Sequence, residues 1–322
     1  MRAIRVSETG GPERLLVEDV AVPTPQAGEA LVRIVAAGVN FIDIYHRTGL
    51  YKLPLPFTPG GEAAGVVEAV GEGVDSVHAG DRVAFSGPPG SYAEYQAVPA
   101  KVLIAVPPEL DLKLAGAAML QGMTAHYLTH STHLLKPGET CLVHAAAGGT
   151  GRIIVQMAKM LGARVIGTAG SREKAEDARG IGADEMIVYT EQDFEAETRR
   201  LTDGKGVDVV YDSVGKSTWE KSLNSLRPRG LMVTFGNASG AVDPIAPLVL
   251  NQKGSLFLTR PKLQDYTSTA EDLKWRAGDV LSWVSSGALK LKVEREYSLE
   301  DAGRAHEDLA SRRTSGKLLL IP

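Results

Sequence analysis

Apolar residues in the middle of the chain follow two alternating periods. Thr140 to Val143 is a short apolar run of strand type, and Ile153, Ile154, Met157, Ala158 and Leu161 then recur at the spacing of one helical face. The alternation continues, with strands predicted at Arg164 to Ala169, Glu185 to Tyr189, Val207 to Asp212, Leu231 to Gly236 and Ser255 to Thr259. Helices are predicted between them at Ser171 to Ile181, Phe194 to Leu201 and Thr218 to Leu226. Regular alternation of this kind predicts a parallel sheet covered by helices on both faces.

Before residue 120 the pattern differs. Short alternating runs at Arg2 to Val6, Leu15 to Val20, Glu29 to Ala37, Gly65 to Val70 and Arg82 to Phe85 are separated by turn residues such as Gly10-Gly11-Pro12 and Gly87-Pro-Pro-Gly90. They predict a barrel-like all-β domain with few helices. After Pro261, helices are expected at Asp272 to Ser285 and Leu299 to Ala310, and strands at Leu291 to Glu294 and Lys317 to Ile321. This tail is too short to stand alone and is expected to fold back onto the first domain. The expected division of the α/β chain is 1–122, 123–261 and 262–322.

With 322 residues, 43% hydrophobic and 23% charged, the chain has the size and composition of a soluble two-domain protein. A net charge of −4 offers no basic stripe for nucleic acid and no attraction to an anionic membrane. The opening Met1-Arg-Ala-Ile-Arg-Val lacks an apolar core with a small-residue cleavage site, and no apolar run reaches membrane-spanning length. The cytoplasm is therefore the expected compartment. The single cysteine, Cys141, leaves no internal disulfide and lies in an apolar strand, where a buried thiol is expected.

Between the first predicted strand and helix of the middle region lies Ala145-Ala-Ala-Gly-Gly-Thr-Gly151. A strand, a glycine turn and a helix in that order suit a dinucleotide pyrophosphate. Glycines let the backbone approach the phosphates, and the helix N-terminus presents free N–H groups and a positive dipole end. Set against G-x-G-x-x-G, the run has Ala146 at the first glycine and Gly148 and Gly151 at the others. Ala147, Gly148, Gly149, Thr150 and Gly151 are the candidate contacts. NAD-binding proteins carry an acid at the end of the second strand for the ribose hydroxyls. Here Thr168-Ala-Gly-Ser-Arg-Glu-Lys174 offers a hydroxyl and cations, with Glu173 between two bases. Ser171 and Lys174 suit a 2′-phosphate, so NADPH is the expected cofactor.

Seven stretches carry a family resemblance: Ala37-Gly-Val-Asn-Phe-Ile-Asp43, Pro59-Gly-Gly-Glu-Ala-Ala-Gly-Val-Val67, Gly80-Asp-Arg-Val83, Gly122-Met-Thr124, Val143-His-Ala-Ala-Ala-Gly-Gly-Thr-Gly151, Tyr211-Asp-Ser-Val-Gly215 and Phe235-Gly-Asn237. Over essentially its full length the chain resembles the zinc-free quinone oxidoreductase (zeta-crystallin-like) branch of the medium-chain dehydrogenase/reductase superfamily. The resemblance implies a GroES-like β-barrel catalytic domain completed by the C-terminal segment, and a Rossmann doubly wound domain that binds NADPH. It implies NADPH-dependent reduction of quinones or related conjugated carbonyls. It also implies that Lys174 and Tyr189 contact the 2′-phosphate, and that Asn40, Thr124, Ser213, Phe235, Gly236, Asn237, Ser239 and Arg312 reach the cofactor, with Asn40 on the nicotinamide side. Members of this branch include lens crystallins and RNA-binding proteins. The alternatives are therefore an NADPH-binding protein of that kind with little turnover, or an enone or alkenal double-bond reductase. An apolar edge strand at Ser255 to Thr259 fits a homodimer.

Alcohol dehydrogenases of the superfamily hold zinc with a cysteine and a histidine at these motifs. Here the cysteine place is Asn40, the Gly-His-Glu place reads Gly60-Gly61-Glu62, and a third ligand would fall at Leu120 or Gln121. Amide, glycine and leucine do not supply the thiolate and imidazole that zinc takes, so no metal is expected. Without a Lewis acid, reduction of an already electrophilic π-system is the chemistry left. Beside Asn40, the candidate catalytic residues are Tyr45 and Tyr51, which could stack on a quinone or donate to its developing oxyanion. Asp43 is expected to orient the local backbone, and Glu62 to pair with a base. One-electron and hydride transfer stay open. His126, His130 and His133 share helical spacing but lack the glutamate of the zinc-protease pattern, and read as polar helix positions.

Overall fold

The computed structural model describes residues 1–311 and 314–322. In chain order the elements are β1 (Arg2–Arg5), β2 (Leu16–Asp19), β3 (Glu29–Val39), α1 (Phe41–Arg47), β4 (Glu62–Val70), β5 (Arg82–Ser86), β6 (Tyr95–Pro99), β7 (Ile104–Ala105) and α2 (Leu112–Tyr127). They continue with β8 (Thr140–Val143), α3 (Gly149–Met160), β9 (Arg164–Ala169), α4 (Arg172–Gly180), β10 (Glu185–Val188), α5 (Phe194–Leu201), β11 (Val207–Asp212), α6 (Trp219–Ser225) and β12 (Leu226–Thr234). Then come α7 (Leu248–Gln252), β13 (Phe257–Thr259), α8 (Leu263–Tyr266), α9 (Ala270–Ser285), β14 (Val293–Ser298), α10 (Ala302–Ala310) and β15 (Lys317–Ile321). Two compact units result: Met1–Met123 with Thr267–Pro322 (unit 1), and Thr124–Tyr266 (unit 2).

Unit 2 is a six-stranded sheet in the order β10-β9-β8-β11-β12-β13, parallel throughout. Counted from β8, this is the dinucleotide-fold order 3-2-1-4-5-6, whose direction of winding reverses between β8 and β11. Strand alternation sorts the core. Leu142 joins Ile166, Ile187, Val210 and Met232 against Phe194 of α5 and Leu223 of α6. Each such side chain, fully buried, stabilises by about 1.5–3 kcal/mol. The neighbouring Cys141 is fully buried, and burial pushes its thiol up to about 12, so it is an inert thiol. At the unit's margins the Tyr127 ring stacks on that of Tyr266, with centroids 4.3 Å apart, and Thr132 Oγ1 donates to the Tyr266 hydroxyl at 2.9 Å.

Unit 1 is built on the eleven-residue β3, which pairs with β4, β6 and β15. The full sheet runs β14-β15-β3-β4-β5-β7, antiparallel except for β14 with β15. Its core gathers Ile4, Val32, Val39, Val67, Phe85 and Tyr92 with Leu318 and Leu320 of β15. The last strand therefore lies inside the sheet rather than at its edge.

The expected elements are present with shifted ends. β12 begins at Leu226 instead of Leu231, because the sheet carries Pro228 and Gly230 through a register irregularity with Arg229 at φ 59°. β13 is only three residues long. The helices α1, α2, α7 and α8 and the strands β6 and β7 are additions to the predicted set. Among the described residues no helix is long and apolar enough to cross a membrane.

Candidate active site

In unit 2 the chain leaves β8 and turns into α3 within five residues, His144 to Gly148. Ala145 takes a left-handed backbone at φ 51°. His144 N donates to Tyr211 O at 3.0 Å and Ala146 N to Thr168 O at 3.0 Å, which tethers the turn to both neighbouring strands. Gly148 is the N-cap of α3 without a side-chain cap, leaving the first-turn N–H groups to an outside acceptor. Gly151 lets the helix lie on the turn: a Cβ there would stand 2.2 Å from the Ala145 carbonyl oxygen. Ala146, at the first motif position, is tolerated because β9 has Gly167 opposite it, where a Cβ would meet the Ala146 methyl at 2.8 Å. The turn therefore fits the close backbone approach a pyrophosphate requires.

Behind the turn lies a closed polar network. The His144 ring nitrogens face Thr168 Oγ1 at 3.0 Å and Ser222 Oγ at 2.9 Å. Ser222 and Thr218 donate to Asp212 Oδ2 at 3.1 and 2.7 Å. Burial lowers the pKa of His144, whose ring links the end of β8 to β9 and α6. Sequence reasoning did not identify this support, because its members lie 24 and 78 residues from His144.

At the end of β9, Ser171 caps α4, its Oγ accepting from Lys174 N at 3.3 Å. The hydroxyl of Tyr189, a residue 48% exposed, lies over Gly170. Ser171, Lys174 and Tyr189 are thus gathered at one strand end. The nearby carboxylate of Glu191 is engaged by Arg172 in a two-point pair of 2.9 to 3.1 Å. Ser213 and the segment 235–239 also meet, at the ends of β11 and β12. Phe235 N donates to Asp212 O at 2.8 Å, Ala238 N to Ser213 O at 3.2 Å, and Ser239 Oγ to Val214 O at 2.8 Å. Thr124 is half-buried in α2, and among the described residues no hydrogen bond joins it to the turn. Arg312 lies outside the described residues.

In unit 1, Asn40 is the N-cap of α1. Its backbone N–H donates to Asp43 Oδ2 at 2.8 Å, so Asp43 orients the backbone as expected. The Asn40 amide is fully engaged. Oδ1 accepts from Lys317 Nζ at 2.8 Å and Gln121 Nε2 at 3.2 Å, and Nδ2 donates to Glu62 Oε1 at 2.7 Å and Gly38 O at 3.3 Å. Glu62 is fully buried; Lys317 is its basic partner, and Leu120 N donates to its second oxygen at 2.7 Å. Tyr45 and Tyr51 meet edge to face at 5.2 Å, with Phe41 6.2 Å from Tyr45, forming a half-exposed aromatic shelf on α1 and the loop after it.

Asp43 has a second, buried circuit. Arg47 Nη1 donates to His306 Nδ1 at 3.4 Å, and Tyr92 stands between His306 Nε2 at 3.1 Å and Asp43 Oδ2 at 3.0 Å. Burial holds the His306 pKa down to about 3, and burial, against the Asn40 and Tyr92 hydrogen bonds, raises Asp43 to about 7. Among the described residues Asp43 Oδ1 has no hydrogen-bond partner. Tyr92, His306 and Lys317 were missed because each is distant in sequence from the motif it serves.

The three helical-spacing histidines do not converge. His126 and His130 stack at 4.3 Å, while His133, beyond a π-helical turn, faces Glu139 at 3.1 Å. Among the described residues no three His, Cys, Asp or Glu side chains are grouped to hold a metal.

Comparison with known proteins places these features in a family. Residues 26–108 match the Alcohol dehydrogenase GroES-like domain, and residues 149–276 the family described as Zinc-binding dehydrogenase. A quinone oxidoreductase of Pseudomonas aeruginosa is 46% identical, over 100% of this chain and 99% of its own. A 2-haloacrylate reductase of a Burkholderia species is also 46% identical, over 98% of each. The crystal structure of Escherichia coli quinone oxidoreductase complexed with NADPH superposes with a TM-score of 0.98 at 45% identity, covering 100% of both chains. With a GroES-like unit, a Rossmann-type parallel sheet and Asn40 and Gly61 at the positions discussed above, the chain belongs to the zinc-free quinone oxidoreductase branch of the medium-chain dehydrogenase/reductase superfamily.

Proposed function

We propose that this protein is an NADPH-dependent quinone oxidoreductase, with unit 2 as the nucleotide-binding unit and unit 1 as the catalytic one. The observation that carries the cofactor choice is the end of β9. Ser171, Lys174 and Tyr189 gather there, and the carboxylate of Glu191 is engaged by Arg172. Hydroxyls and an ammonium suit a 2′-phosphate, whereas two ribose hydroxyls call for an acid. The N–H groups of Gly149, Thr150 and Gly151 hold the pyrophosphate. Ser213, Phe235, Gly236, Asn237 and Ser239 line the strand ends beyond it, where open α/β sheets bind ligands. Thr124 and Arg312 complete the cofactor contacts.

Bound NADPH supplies a hydride, which with one proton converts a quinone to its hydroquinone. The chain's own part is orientation. Tyr45 and Tyr51 offer ring faces for stacking, and a phenol O–H can donate to the oxygen on which charge develops. Asn40, its amide fully engaged, fixes the start of α1 on the nicotinamide side. The Burkholderia 2-haloacrylate reductase, equally similar in sequence, favours activated alkenes as a second substrate class. The exposed edge strand β13, with Phe257 61% and Leu258 37% exposed, supports a homodimer. The single buried thiol fits a cytoplasmic protein.

Oxidation of NADPH and NADH with 1,4-benzoquinone, 9,10-phenanthrenequinone and 2-chloroacrylate tests the reading. The expected result is turnover of NADPH with the quinones and a marked preference over NADH. Tight NADPH binding without oxidation by any acceptor would overturn it in favour of a binding protein.

A further inference from the structure

Among the described residues of unit 1, Glu62 is a fully buried acid whose carboxylate is paired with a lysine. A buried charge persists only when paired and hydrogen-bonded. Glu62 Oε1 receives Lys317 Nζ and Asn40 Nδ2, and Oε2 receives Leu120 N. Lys317, itself 3% exposed, also donates to Asn40 Oδ1 at 2.8 Å. The ammonium therefore bridges an amide oxygen and a carboxylate oxygen, as a small cation does between two hard ligands. The lysine comes from the first residue of β15, 255 positions from Glu62.

This cage does more than neutralise a charge. Asn40 begins α1, and its backbone N–H is already locked by Asp43. The side-chain lock fixes its remaining freedom, and one turn further along α1 stands Tyr45, packed on Tyr51. Lys317 thus reaches the aromatic shelf through Asn40 and the helix, without touching it.

We infer that Lys317 is a positioning residue of the reaction: its ammonium is the resident cation of a buried Asn40–Glu62–Gln121 cage that sets the N-terminus of α1 and, through it, Tyr45 and the Tyr51 ring packed on it. The inference rests on the quinone-reductase reading only for its catalytic readout. Without Lys317, Asn40 Oδ1 keeps only the Gln121 contact at 3.2 Å, and Glu62 loses its basic partner. Misplacement of a helix by a fraction of an ångström to 1 Å lowers kcat by about 10- to 100-fold. The NADPH contacts proposed on unit 2 are untouched, so the KM for NADPH stays within about 2-fold.

Two variants test this with NADPH and 1,4-benzoquinone. Glu62→Gln with Lys317→Met removes both charges and keeps the Asn40-to-residue-62 hydrogen bond, at the expense of the Leu120 N–H, while the lysine donor to Asn40 Oδ1 is lost; a thermal melt establishes that the variant is folded. Its kcat is expected to fall by about 10-fold or more with KM for NADPH little changed. Lys317→Ala deletes the side chain beyond Cβ, which propylammonium matches. Propylammonium should raise both the melting temperature and kcat of that variant above the values in tetramethylammonium at equal ionic strength. A double variant with wild-type kcat, or equal effects of the two ammonium ions, would overturn the inference. If the wild type itself oxidised no NADPH with any quinone, the functional reading would fail, while the melting-temperature response would still report the cage.

Discussion

Gly151→Ala is the sharpest test of the nucleotide turn. The added Cβ would stand 2.2 Å from the carbonyl oxygen of Ala145, 2.9 Å from its carbon and 3.1 Å from the Ala146 Cα. All three are backbone atoms, so no rotamer change relieves the clash. Ordinary contact begins at about 3.4 Å, so α3 and the turn must part by about 1 Å. The overpacking costs about 1–3 kcal/mol of stability. The same displacement moves the N–H groups of residues 149–151 off their acceptors. Loss of one hydrogen bond to a charged oxygen, worth about 1.5–3 kcal/mol, weakens NADPH by about 10- to 100-fold. Gly148→Ala is the internal control: its Cβ would be 3.1 Å from the same oxygen, a misfit the turn absorbs with a shift of a few tenths of an ångström. Fluorescence titration of each variant with NADPH, beside a thermal melt, gives both quantities. A folded Gly151→Ala protein that binds NADPH within about 3-fold of wild type would refute the argument, as would a larger loss for Gly148→Ala than for Gly151→Ala.

Lys174→Glu should raise the Kd for NADPH by about 10- to 100-fold while leaving NADH within about 3-fold, measured by parallel titrations; equal losses would misplace the 2′-phosphate site. Asp43 carries a pH signature. Its folded pKa of about 7 lies above the ordinary carboxylate value, so its contribution is fully present below pH about 4 and is lost as pH rises through about 7. Asp43→Asn, which mimics the protonated acid and keeps the acceptor for Asn40 and Tyr92, should remove that fall. The difference between wild-type and variant urea stabilities should then change by on the order of 3 kcal/mol between pH 4 and 8, and a pH-independent difference would refute it. Phe257→Lys, on the exposed edge of β13, should shift the light-scattering mass to that of the monomer; an unchanged dimer would put the interface elsewhere.

What could be read from the sequence was what is local. The glycine turn and the cluster after β9 each lie within about thirty residues, and the strand–helix alternation repeats in units of about that length, where periodicity and turn chemistry are informative. Even α1 had a local signature, Asn40 followed three residues later by Asp43, the spacing of an N-cap and its reciprocal acid, but its seven residues are too few to show a helical period. Glu62 could be expected to need a base, yet nothing near it identifies Lys317, because β15 reaches β3 only through the folded sheet. The same holds for Tyr92 and His306, joined across 214 residues. β12 was cut short because proline and glycine normally end a strand, whereas here the sheet tolerates both within an irregular register.

The stacking of Tyr127 on Tyr266 has a consequence for how the polypeptide acquires its structure. Unit 1 is interrupted by the whole of unit 2, and closing so long an excursion as a flexible loop would carry a heavy entropic penalty. Once unit 2 has folded, its entrance and exit are clasped ring to ring, and the excursion behaves as a short hairpin turn. Folding of the contiguous unit therefore lowers the closure cost for the barrel strands on either side of it.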